Sequence, residues 1–404
     1  MTTILIAIVL LLLAGGAMLW LKKPAANPVQ RPRQAARSGA PDVAVGAGSG
    51  QISGQTPGQT PEPSSRASPT PVAPRPQAAR QASTAPRAAA ALPATLQQFT
   101  LVRREALPAP AIDSLLLRLG QIPRPPLSLQ KLLSPAFLES ATSAEMSDLI
   151  MAEAQIAAKV LATVNSPLYG LKRPVASVGQ AVTFLGLNTV RAICLHYMLD
   201  DSFKTTAPDR RRRFDAVLRA SSLSSELCGK LAQQLELPEQ GALVTQGVLS
   251  FLGQLAMTAL LPTTGPAWGP HADLLVRTQA EQSALGLGAA EVGALLMQSW
   301  DLPSSIIDNV RDIDSLLVTP SDSQDPRRGS RLALCYLCAR LAERLVHGRL
   351  ADLASFDLLG DRSVDMLHLQ GYLDAPALAR LPGLLRSAAV LQLVQKQLGA
   401  TAAH

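Results

Sequence analysis

Imidazole and carboxylate side chains held together can grip divalent ions that activate water for attack on phosphate. The chain has five histidines, His196, His271, His347, His368 and His404, and none is followed by aspartate. Cys335-x-x-Cys338 has the spacing of half a zinc site or of a redox pair. No second pair accompanies it, and Leu332, Leu334, Leu337 and Leu341 surround it, so it reads as a helix carrying two small buried residues. The run Arg210–Arg213 precedes Phe214, Val217 and Leu218, which places the arginines on the solvated face of a helix start. No phosphate-binding glycine loop, dinucleotide fingerprint or nucleophile elbow occurs.

The elements that could position chemistry are clearest between Leu161 and Leu195. A helix carrying Val160, Leu161 and Val164 must stop near Asn165, because Pro167 disfavours the helical conformation at Ser166. Gly170 allows a positive φ. Ser177 and Gln180 form an S-x-x-Q capping box ahead of Ala181, Val182, Phe184 and Leu185. Gly186 ends that helix, and Asn188 is expected to cap the next, which carries Val190, Ile193, Cys194, Tyr197 and Met198.

The literal pattern Asn165-Ser166-x-x-Tyr169-Gly170, Arg173-Pro174, Ser177-x-x-Gln180-Ala181 and Leu185-Gly186-Leu187-Asn188-x-Val190-Arg191 resembles the HDOD family, bacterial signalling domains related to HD phosphohydrolases. Glu291-Val292-Gly293 to Trp300-x-Leu302-Pro303 looks like the later part of the same domain, so the resemblance covers about Leu107 to Val310. It implies an all-α, HD-like helical bundle. It also implies where HD enzymes would carry their metal ligands. The first histidine position looks like Ser221, the His-Asp pair falls on Ser250 and Phe251, and the distant aspartate looks like Ala289. Serine, phenylalanine and alanine cannot replace those ligands, so the expectation is a non-enzyme without a metal or other cofactor. By the same resemblance, Asn165, Ser166, Tyr169, Gly170 and Arg191 are the motif residues through which a protein partner would be bound. The family's links to motility, surface behaviour and cyclic-di-GMP circuits bring in a cyclic dinucleotide only indirectly. The alternative is a residual nucleotide-binding or phosphohydrolase module using the HD-like cleft.

Composition and charge set the context. Only 3% of residues are aromatic against 47% hydrophobic, so a core must be built from Leu, Ala and Val, which favours helices. Cys194, Cys228, Cys335 and Cys338 sit in apolar helical patterns, in keeping with a reduced setting. The net charge of +7 belongs to a tail: between Lys22 and Thr95 nine cations face only Asp42 and Glu62, and the remainder balances. Without aromatic interleaving or a nucleic-acid-binding fold, Arg210–Arg213 does not point to DNA or RNA, and lipid or nucleic-acid binding through the basic tail is a third, weaker alternative.

Ile4 to Leu21 is an uncharged apolar run about 27 Å long as a helix, enough to cross a bilayer. Trp20 suits the interface, and Lys22 and Lys23 follow while no cation precedes, which puts the remainder in the cytoplasm by the positive-inside rule. Residues 22–95 hold 13 of the 31 prolines and no apolar period, so they are expected to be disordered. The expected organisation is a transmembrane helix at 1–21, a linker at 22–95, an HDOD domain at 96–317 and a C-terminal helical extension at 318–404. Within the folded part, Leu132, Leu133, Phe137 and Leu138 predict one helix, Thr142-x-x-Glu145 a capping box, 320–329 a polar loop and Arg331–Val346 an amphipathic helix. The chain thus reads as a single-pass inner-membrane protein that relays a state by binding other proteins.

Overall fold

The computed structural model describes residues 92–399, apart from 263 and the side chain of 129. The expected membrane helix at 1–21, its flanking Trp20, Lys22 and Lys23, and the linker as far as 91 lie outside the described residues. The last residues of that expected linker are described: a helical turn runs Ala94–Gln97 and Leu96 is buried. The ordered body therefore begins ahead of residue 96, because burying Leu96 fixes the turn that carries it.

Among the described residues all regular structure is helical. Helices of eight residues or more are α1 (Ala109–Leu119), α2 (Ser143–Met151), α3 (Ala154–Val164), α4 (Val178–Leu185), α5 (Leu187–Ser202), α6 (Pro208–Gln234), α7 (Gln240–Leu249), α8 (Leu252–Leu260), α9 (Leu274–Leu285), α10 (Ala289–Ser299), α11 (Ser304–Arg311), α12 (Pro326–Val346) and α13 (Ala388–Gly399). The 27 residues of α6 make it the longest, about 40 Å.

Two buried apolar clusters lie along α6. Phe214 and Leu218 join a cluster with Val160, Val190, Leu195, Leu252 and Val292. Leu223, Leu227, Cys228 and Leu231 join a second with Leu243, Tyr336, Leu337, Leu341, Leu378 and Val394. Helices on both sides of residue 317 share this second cluster. Residues 240–260 have the length and hydropathy of a membrane crossing, yet 83% of that window is buried inside the fold.

Several local expectations meet their elements. Thr142 accepts from the Glu145 amide while Glu145 reaches back to the Thr142 amide, a complete capping box. Others need correction. The apolar run Leu132–Leu138 is two helices, Ser128–Leu132 and Pro135–Ser140, because Pro135 cannot continue a helix and Ser134 caps the second piece by accepting from the Phe137 amide. The polar segment 320–329 is not all loop: Asp325 accepts from the Arg328 amide, so α12 starts at Pro326. Nor is α12 amphipathic, since it is buried almost all round, from Leu332 to Leu345. Its polar residues Arg340 and Glu343 tolerate this by pairing with one another at 3.1 Å.

Candidate functional site

The motif residues fall on one hairpin and on the helix that follows it. After α3, Asn165 holds the hairpin closed: its Nδ2 donates to the Leu161 and Val175 carbonyls at 2.9 and 2.8 Å, and its Oδ1 accepts from the Val175 amide at 2.7 Å. Ser166 is extended and opens the turn Pro167–Tyr169, which Gly170 ends at φ +57°. A side chain there would be strained. Ser177 accepts from the Gln180 amide, as expected of an N-cap, but Gln180 reaches back to the Ala176 amide rather than to Ser177.

Tyr169 is half-buried. Lys396 of α13 stands over its ring, with Nζ 3.9 Å from the centroid. Burial, and after it Glu226, raises the Tyr169 phenol above its ordinary range. Glu226 on α6 accepts a hydrogen bond from Gln397. Desolvation raises this carboxyl despite Gln397 and Lys396. The hairpin is therefore tied to the C-terminal helix, a pairing no local sequence signal announced.

Arg191 lies elsewhere on the same stretch, inside the fold and 2% exposed. Its Nη1 donates to Asn188 Oδ1 at 3.1 Å and its Nη2 to the Phe137 carbonyl at 3.3 Å. Asn188 is thus not the cap expected of it. The chain turns into α5 two residues earlier, with Gly186 in the N-cap position at φ 80° and no capping side chain, which leaves the Asn188 carboxamide to orient Arg191. With no acid beside it, burial lowers the Arg191 pKa to about 10.

The four positions where the resemblance would put metal ligands do other work. Ser221 donates to the Leu218 carbonyl at 2.8 Å, Ser250 donates to the Gly247 carbonyl at 3.2 Å, and Phe251 is a core residue. At Ala289 only the backbone is polar, and its amide donates to Glu281 Oε2 at 2.7 Å. A Cβ on Gly253 would collide with the Ala289 carbonyl, so the backbone itself closes the space between α8 and α10. These residues do not fit a divalent centre, and among the described residues no group of three or more His, Cys, Asp or Glu side chains is placed to hold one. Of the histidines, His196 is half-buried and desolvation lowers its pKa, which favours the neutral imidazole.

What the motif did not reveal is a cluster of buried charge next to Ala289. Glu343 accepts hydrogen bonds from Arg277 at 2.8 Å and from Gln254 at 2.6 Å, and forms an ion pair with Arg340 at 3.1 Å. Burial alone would raise its pKa, but Arg277 and Arg340 prevail and hold it at about 2. Glu281, 3.7 Å from Arg277, is pushed by burial up to about 7.

The HDOD domain model matches residues 122–315, starting later than the stretch read from the motif. No curated protein matches the chain. Among solved structures, an HDOD domain protein from Geobacter sulfurreducens is 18% identical with a TM-score of 0.48, over 71% of this chain and 99% of that one. A protein from Marinobacter aquaeolei VT8 named for signal transduction is 22% identical with a TM-score of 0.44, over 72% of this chain and 64% of that one. A protein from Shewanella amazonensis SB2B named as a metal-dependent phosphohydrolase is 17% identical with a TM-score of 0.42, over 72% and 97%.

Proposed function

From residues 122–315 as an HDOD domain, we propose that this chain is a non-catalytic signal-transduction module, tethered to the inner membrane, that binds protein partners through its helical surface. The observation that carries the reading is the chemistry at Ser221, Ser250, Phe251 and Ala289. None offers a metal ligand, and the two serine hydroxyls are spent on their own helices. A domain without the groups to turn over a phosphate ester is left with what docks on it.

Exposed apolar side chains support docking and suggest where. Five of the seven large hydrophobics that are exposed among the described residues, Leu116, Leu117, Leu127, Met151 and Phe184, precede residue 186. Lone exposed apolar residues are ordinary, but Leu117 at 75%, Met151 at 65% and Phe184 at 54% are large side chains that folding alone does not use. The apolar run Ile4–Leu21 followed by Lys22 and Lys23 supports the tether and the cytoplasmic orientation.

The test compares the full chain with a Met151→Ser, Phe184→Ser double variant in a crosslinked pull-down from membranes. The reading expects at least one protein held by the wild type and lost from a variant that melts at the same temperature. Identical capture profiles would contradict docking through these residues. A reporter fused at the C-terminus should be active in the cytoplasm, and activity confined to the periplasm would contradict the orientation.

A further inference from the structure

The cleft that Arg191 lines has the build of an anion site. It lies between the starts of α5 and α7 and the side of α6, with a volume of about 750 Å³, a size that suits a small molecule. A guanidinium has five N–H donors, and Arg191 spends two on neutral oxygens. Its Nε has no hydrogen-bond partner, and its two protein acceptors carry no formal charge, so a buried cation stands without a counter-ion. Leaving such a charge uncompensated is unfavourable unless something else supplies the negative partner.

The backbone around it carries the same sign. α5 and α7 both begin among the residues that line the cleft, and neither start has a capping side chain, so the positive ends of two helix dipoles border it. Gly241, in the first turn of α7, has no Cβ; one added there would collide with Arg191 Nη1. Glycine at this position lets the backbone of α7 lie against the guanidinium at the edge of the cleft. Lys230 of α6 supplies a second cation on the wall. The acids that also line the cleft are engaged or peripheral: Glu239 pairs with Arg331 at 2.7 Å, Glu226 bonds Gln397, and Glu139 is exposed. Leu138, Leu185, Val244 and Leu393 give the remaining wall an apolar character.

We propose that this cleft binds a small soluble phosphate monoester, with the phosphate held by Arg191, Lys230 and the amides that open α5 and α7, and the body of the ligand against Leu138, Val244 and Leu393. The site is separate from the positions corresponding to HD metal ligands, since Ser221, Ser250, Phe251 and Ala289 do not line it. It is also independent of docking through Met151 and Phe184, which do not line it, and either proposal can fail without the other.

Titration calorimetry of the full chain with inorganic phosphate and with AMP tests it. The wild type should bind both saturably, AMP the more tightly because of the apolar wall. Arg191→Gln should weaken AMP binding roughly tenfold or more, the worth of a charged hydrogen-bonding partner. Because Arg191 packs in the interior, Lys230→Gln is the second variant: it leaves the core untouched and should weaken AMP about threefold or more, with a loss that shrinks at high salt. Absence of saturable heat with either compound at millimolar concentration would overturn the proposal, as would AMP binding that Lys230→Gln leaves unchanged.

Discussion

Two regions of the molecule bury arginine, and they treat it in opposite ways. At the junction of α8, α9 and α12, Arg277 and Arg340 are enclosed with Glu281, Glu343 and Asp314, and Gln254 takes up part of the remaining hydrogen-bonding capacity. At the start of α5, Arg191 is equally inaccessible but meets only a carboxamide and a backbone carbonyl. The first arrangement is internally compensated and holds helices together. The second leaves a positive charge facing a cleft. Burial alone does not separate a structural arginine from one that waits for a partner; the company it keeps does.

Removing the charge at each place should break or sharpen this contrast, and the largest effect is expected at the compensated cluster. Arg340→Met leaves Glu343 and Asp314 short of a cation in the interior and should destabilise by about 3–5 kcal/mol, whereas Arg191→Met removes a charge that no acid answers and should cost less than about 2 kcal/mol. Denaturant melts of the two variants measure the difference, and equal losses would erase the distinction. Next comes the hairpin clamp. Asn165→Ala removes three hydrogen bonds at a partly solvated turn and should cost about 1–2 kcal/mol, read from the same melts, while leaving the Arg191 cleft and its AMP titration unaltered.

The smallest effect is a matter of pH. Glu281, raised by burial to about 7, favours the folded state most while it is protonated in both states, below its ordinary value near 4.5. That contribution is lost as pH rises through 7. Glu343 behaves in the reverse sense: held at about 2, it contributes above its ordinary value and loses that contribution as pH falls toward 2. Glu281→Gln cannot ionise, so the decline in melting temperature between pH 5 and pH 8 should be shallower in the variant, with the variant the more stable above pH 7. A decline as steep as in the wild type would place the titrating group elsewhere.

How much of this was legible in the sequence depends on the range of the interaction. The hairpin was readable because its determinants are local: Pro167, the positive φ of Gly170 and the Ser177 cap act over a few residues. The helical fold followed from apolar spacing. The role of Asn188 was not readable, since Gly186 caps α5 two residues earlier and frees the side chain for Arg191. Nor could spacing show that α12 is enclosed on every side, because that depends on which distant helices gather round it. Lys396 on Tyr169 and Glu343 between Arg277 and Arg340 are likewise meetings of residues far apart in the chain, and no periodicity encodes them. The residue types at the four positions that the resemblance assigns to metal ligands were readable at once, because they are a matter of sequence rather than of packing.

Of all these points, the account rests most on those substituted positions. Hydrolysis of bis(p-nitrophenyl) phosphate by the purified full chain, measured as manganese is raised from zero to millimolar, tests them directly. The rate should stay at that of the buffer with the same manganese. A rate that rises with manganese, saturates and disappears with a chelator would mean that other side chains hold a metal, and the non-catalytic reading would fall.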